Sequence, residues 1–150
     1  WGSGVDSSIN LKIEVLPDCR ISTNDVNFQS AAFADAFVPV KTSMGIRCSV
    51  KTPYYVSLNN GQYPRSGGQR AMKSNSSDNY LMYEIYKNST SARWGSGIDR
   101  WSSNDATTNA GIYDSKTQQN YAFTVKVLDS NPKSLPAGKY TDTVTVQVEF

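Results

Sequence analysis

The 150-residue chain contains no histidine. That absence excludes Ser-His-Asp and Cys-His catalysis, and every zinc site built on imidazole. A carboxylate pair could still hydrolyse a glycosidic bond. However, Asp78, Glu84, Asp99, Asp105 and Asp114 lie mostly in polar stretches with no pairing signal. They read as solvated loop charges, so the expectation is no enzyme, no catalytic residue, no metal and no cofactor. No apolar run approaches the roughly 18 residues a helix needs to cross a bilayer. Charge of one sign is not concentrated anywhere: 15 basic and 13 acidic residues are spread along the chain, giving a net charge of +2. A nucleic-acid footprint would gather lysine and arginine on one face, so no nucleic-acid partner is expected. The short "NNGQ" and "GSG" stretches lack the strand-to-helix context of a phosphate loop and read as turns.

Cysteine is nearly absent too. Cys19 and Cys48 are the only two, neither sits in a CxxC pair, and each falls in apolar alternation. A disulfide is the better reading, against two buried free thiols. Closing that loop would stabilise the fold by about 3.6 kcal/mol in the chain-entropy model. It would also require an oxidising compartment, which means periplasm, cell surface or secretion. A chain that starts at Trp1 rather than Met suggests a processed N-terminus whose targeting segment is gone.

What the sequence does contain is strand alternation. "INLKIEVLPDC" places Ile9, Leu11, Ile13 and Val15 on one side and Asn10, Lys12 and Glu14 on the other. A period of two over seven residues marks a strand with one buried face. After the break at Pro17, "CRISTNDVNF" reads as one interrupted strand. "MGIRCSV" points Met44, Ile46 and Cys48 inward, where Cys48 can meet Cys19 from a neighbouring strand. "YYVSL" follows, then "RAMK" as a short edge strand and "YLMYEIY" with Leu81, Tyr83 and Ile85 on one face. Residues 88–119 are rich in Ser, Thr, Asn and Gly and read as a long surface loop, mobile or used in subunit contacts. "YAFTVKV" and "YTDTVTVQVEF" close the chain as strands, the last with Val144, Val146, Val148 and Phe150 on one side. Only "FQSAAFADAF" is helix-like, and it is too short to carry a fold. The class is all-β, of the sandwich type, in one domain.

A sandwich whose last strand has no following strand beside it leaves a ladder of unpaired N–H and C=O groups next to an open core. An amphipathic strand ahead of Cys19 could cover that gap in another molecule by β-augmentation.

These residues resemble the pilins of archaic chaperone-usher fimbriae, the Csu-type subunits with a spore coat protein U-like domain. The resemblance rests on "INLKIEVLPDC", "VNF", "CSVKTPYYVSLNNGQ", "RAMKS", "YLMYEIYKN", the "WGSG" turn and "PAGKYTDTVTVQVEF", and covers nearly the whole chain. The loop "SARWGSGIDRWSSNDATTN" departs from the family by being less glycine-rich. The family implies an incomplete immunoglobulin-like sandwich of six strands, completed by an N-terminal donor strand from a neighbouring subunit. On that basis residues 1–17 form the donor segment and 18–150 the pilin domain. Ile9, Leu11, Ile13 and Val15 resemble the donor knobs, Val144, Val146, Val148 and Phe150 the acceptor edge, and Cys19 and Cys48 the disulfide of the first two strands. The implied function is a structural subunit of a surface pilus, supporting adhesion and biofilm formation. Its implied partners are like subunits, a periplasmic chaperone and an outer-membrane usher, and its place is extracellular after passage through the periplasm.

The rival is a secreted carbohydrate-binding β-sandwich, with Tyr54, Tyr55, Tyr63, Trp94 and Trp101 stacking on sugar. Strand connectivity separates the two, because pairing of residues 9–15 only inside their own domain favours the free-standing module. A tip adhesin of the pilus system is disfavoured on length, since 150 residues hold one domain.

Overall fold

A computed structural model describes residues 5–14, 19–31, 36–88, 91–132 and 134–150. Ten strands form among the described residues, and no α-helix: β1 (Val5–Glu14), β2 (Cys19–Ser22), β3 (Val26–Ala31), β4 (Val40–Cys48), β5 (Tyr55–Leu58), β6 (Ala71–Ser74), β7 (Tyr80–Lys87), β8 (Trp101–Ser102), β9 (Gln119–Val127) and β10 (Gly138–Glu149). They lie in the order β2-β4-β9-β7-β6-β10-β1-β3, with β5 also against β10 and β8 against β5. The turn from one face of the sandwich to the other runs through β7. Its first half pairs with β6, Leu81 facing Met72, and its second half with β9, Ile85 facing Val125. One curled sheet therefore encloses one core.

Alternation does the sorting along the long strands. In β9, Tyr121, Phe123, Val125 and Val127 point inward, and in β10 so do Tyr140, Val144, Val146 and Val148. Cys19 faces Cys48 across the antiparallel β2–β4 pair and the two are disulfide-bonded, as the sequence suggested.

Several local expectations change. "CRISTNDVNF" is two strands in different layers: β2 pairs with β4, whereas β3 pairs with β1. The chain passes from one layer to the other at residues 23–25, with Asn24 and Asp25 exposed. "RAMK" is interior, because β6 lies between β7 and β10 and Arg70, Ala71 and Met72 are fully buried. The helix-like stretch begins as part of β3, and residues 32–35 lie outside the described residues.

The described residues of the polar segment, 88 and 91–119, have little regular structure, but they are anchored. Trp94 and Trp101 insert into the core beside Tyr121 and Phe123, with ring centroids 4.8–6.1 Å apart. Trp94 Nε1 donates to the Val56 carbonyl at 2.9 Å. Tyr54 and Tyr113 complete this end: Tyr54 donates to Gln119 Oε1, Tyr121 donates to the Tyr54 hydroxyl at 3.1 Å, and Tyr113 shares a 2.6 Å bond with Ser103.

Burial pushes the Tyr54 phenol up to about 12, and pushes Tyr121 and Tyr83 up as well. A folded-state value above the unfolded value of about 10 means that this contribution to stability is complete below pH 10 and is lost as pH rises through the folded values. In an alkaline titration followed at 295 nm, we expect these three tyrosines to ionise only together with unfolding. Smooth titration of all nine near pH 10 in a still-folded chain would contradict that.

Candidate functional site

Along β10, one edge is shared by β6 at Tyr140 and Thr141 and by β5 from Val146 to Glu149. The other edge, from Gly138 to Gln147, is covered by β1. The two strands run parallel, with Ile9 opposite Asp142, Leu11 opposite Val144 and Ile13 opposite Val146. On its far side β1 pairs antiparallel with β3, ending at Ile9 against Val26. Beyond that point the Leu11 N–H donates to the Asp25 carboxylate at 2.9 Å, so a side chain continues the ladder where β3 has turned away.

The structure places Ile9, Leu11 and Ile13 along β10 at Asp142, Val144 and Val146 within a single chain, which is the connectivity expected of a free-standing module, while Val148 and Phe150 lie beyond the β1 pairing. Ile9 and Leu11 are buried, Ile13 is half-buried, and Asn10 and Lys12 face outward. Val15 and the Pro17–Asp18 break lie outside the described residues. Val144, Val146 and Val148 are buried, while Phe150 follows the end of β10, half-exposed against the Tyr54 ring at 6.2 Å. Val5 and Ser7 were missed: the buried face of β1 extends through them, in phase with Ile9 and Leu11. Continuing the i, i+2 count backwards would have found both. A serine breaks the apolar pattern there, and its hydroxyl is buried with no hydrogen-bond partner. Ser7 also adjoins a register shift between β1 and β3, which makes it the weakest seat in the strand.

Facing the middle of β1 is a buried acid. Asp142 Oδ2 accepts from the Tyr83 hydroxyl at 2.6 Å, and Oδ1 accepts the Gln62 and Thr143 N–H groups at 2.8 Å. Burial raises its pKa, and these hydrogen bonds together with Arg70 pull against that rise. Gly61, at φ 78°, is required here, since a Cβ would stand 2.0 Å from Asp142 Oδ2. Behind this group lies an ion cluster. Arg70 Nη1 meets Glu84 Oε1 at 2.9 Å and Arg93 Nε meets Glu84 Oε2 at 2.9 Å. Arg70 also donates to the carbonyls of Asn59 and Trp94. These groups tie β6 and β7 to the segments at Asn59 and Trp94, and they build no catalytic geometry: every carboxylate oxygen described in them is already accepting.

The five aromatics of the stripe form no shared platform. Tyr54, Trp94 and Trp101 belong to the core, Tyr63 packs on Tyr80 at 6.3 Å, and Tyr55 is exposed with the Arg100 guanidinium 3.7 Å above its ring.

A β-sandwich whose last strand carries an added strand on its open edge, with a single disulfide at the start of the fold, is an immunoglobulin-like domain of the pilin type. The chain belongs to the Spore Coat Protein U domain family, whose model matches residues 5–147. It is also similar, at 58% identity and a TM-score of 0.69, to a chain in the CsuC–CsuE chaperone–tip adhesion subunit pre-assembly complex from archaic chaperone-usher Csu pili of Acinetobacter baumannii. The match covers 91% of this chain and 40% of that one. Comparison with curated protein sequences gives no match. The chain thus spans less than half the length of the chain it matches.

Proposed function

We propose that this chain is a structural subunit of a bacterial surface pilus that joins its neighbours by donor-strand complementation. Residues 1–17 serve as the donor segment and 18–150 as the acceptor domain. The observation that carries this reading is the β1–β10 pairing. Without β1, ten residues of β10 lose their ladder partners on one edge and the core opens above Val144 and Val146. A segment of that sequence from a second copy has the same knobs and fits the same slot. Burying Val5, Ile9 and Leu11 is worth roughly 5–9 kcal/mol before ordering costs, enough for a durable joint. A head-to-tail contact of this kind does not close on itself and grows as a filament. Its assembly partners are like subunits, a periplasmic chaperone and an outer-membrane usher. Its place is the cell surface, where the pilus supports adhesion and biofilm formation.

A second reading is favoured by one specific pair of observations: β1 fills its own groove, and the likeness is to a chain of a complex with a tip adhesion subunit. In that reading the domain is self-complete and stands at the distal end, where no neighbour waits for its strand.

One experiment separates the two. Lys12 and Thr145 are opposite each other in the β1–β10 register. Chains carrying K12C and chains carrying T145C are co-assembled under mild oxidation and run on a non-reducing gel. Donor-strand joining gives covalent dimers between the two. If the cross-link forms only in a K12C/T145C double variant, within one chain, the strand stays at home and the distal reading replaces the first.

A further inference from the structure

At the opposite end of the strand order from β1, the outer face of the β2–β4 pair carries an unusual arrangement of charge. Arg20 and Arg47 are direct cross-strand partners, and like charges placed opposite each other work against the sheet. Both side chains are exposed. Lys116 reaches the same place from the loop before β9, and the three cations with Ile21, Ser22 and Gln118 line one open cleft of about 600 Å³. Among the described residues, none of the three cations has a salt-bridge partner.

The loop that carries Lys116 is held in shape. Asp114 Oδ1 accepts the N–H groups of Lys116 and Thr117 at 3.0 and 2.7 Å, and Oδ2 accepts the Thr117 hydroxyl at 2.7 Å. The nearest acid in sequence is thereby committed to backbone and hydroxyl donors. The floor is equally specific. Gln118 lies flat across Gly45, where any Cβ would stand 2.3 Å from its Nε2, and Nε2 donates to Asn120 Oδ1 at 2.9 Å.

We propose that this cleft binds an anionic saccharide unit, seating its sulfate or carboxylate group between Arg20, Arg47 and Lys116 and its ring hydroxyls on Ser22 and Gln118. The two guanidinium planes present paired donors that match the oxygens of either group. The volume is that of a small-ligand site. The lining argues for a sugar over a protein segment: protein contacts centre on buried apolar or aromatic anchors, and Ile21 is the only apolar residue here. No aromatic ring lines the cleft on which a nucleobase would stack.

The test is calorimetric titration of the full chain with a sulfated hexasaccharide, a hexauronate and neutral maltohexaose at low and physiological salt. We expect the charged oligomers to bind, the more tightly bound of the two identifying the preferred group, with affinity falling as salt rises and no binding of maltohexaose. The R20S/R47S double variant should bind roughly tenfold more weakly or worse while its melting temperature is unchanged or higher, because a repulsive pair has been removed. Equal binding of maltohexaose, or unchanged affinity in the double variant, overturns the proposal. So does an outcome in which no oligosaccharide binds and the double variant abolishes association between chains, which would assign the cleft to an acidic protein segment.

Discussion

Replacing Ile9 with aspartate is expected to unseat β1. Ile9 is fully buried and stands opposite Asp142 in the register, so the variant places a second carboxylate beside one that burial already disfavours as an anion. Two acids this close in a dry groove cannot both ionise, and an unpaired buried charge or a forced protonation costs several kcal/mol. The variant should melt well below the parent, and its first residues should become sensitive to protease while the Cys19–Cys48 bond stays intact. Added peptide of the sequence Val5–Glu14 should restore the melting temperature in a dose-dependent way, because the slot is intact and only its occupant is wrong. In pilus assembly the variant should fail as a donor yet remain competent as an acceptor. A parent-like melting temperature with normal assembly would show that β1 does not hold this groove.

The second large effect lies behind the same groove. Arg70 has no solvent exposure and satisfies Glu84, the Trp94 carbonyl and the Asn59 carbonyl together. Arg70→Ala leaves Glu84 buried with only Arg93 opposite and two carbonyls without donors. Breaking a buried pair from one side costs about 3–5 kcal/mol. Urea unfolding should show that loss as a lower midpoint at unchanged slope. The double variant Arg70→Met/Glu84→Leu should lose less than the sum of the two single changes, since neither member of the pair is then left buried without the other and Arg93 keeps Asp99. Additive losses in that cycle would mean that the two side chains are energetically independent, against the 2.9 Å contact.

The two predictions differ in how much of their basis could be read from the chain. Ile9 is visible in the sequence because alternation is local: in an extended strand, residues two apart share a face whatever the partner is. The same rule marks β9, β10, the inward Cys48 and the disulfide partnership, and the missing histidine removes whole classes of chemistry without reference to any fold. Val5 and Ser7 follow that rule as well, and were hidden only because serine does not look buried.

Arg70, Glu84 and Arg93 obey no local rule. Each reads alone as a surface charge, and they meet because β6 pairs with β7 and the loop after β7 folds back to bridge Arg93 to Tyr86. Trp94 and Trp101 are similar, since a polar loop hides the two aromatics that anchor it. Arg20, Arg47 and Lys116 come from three separated stretches, brought together by the β2–β4 register and by a turn that Asp114 holds. Strand identity and facing were therefore set by the sequence through a two-residue period. Charge pairing, the burial of the loop tryptophans and the pairing of β1 with the β10 of its own chain were decided only by tertiary structure, because each depends on register between segments that the sequence keeps far apart.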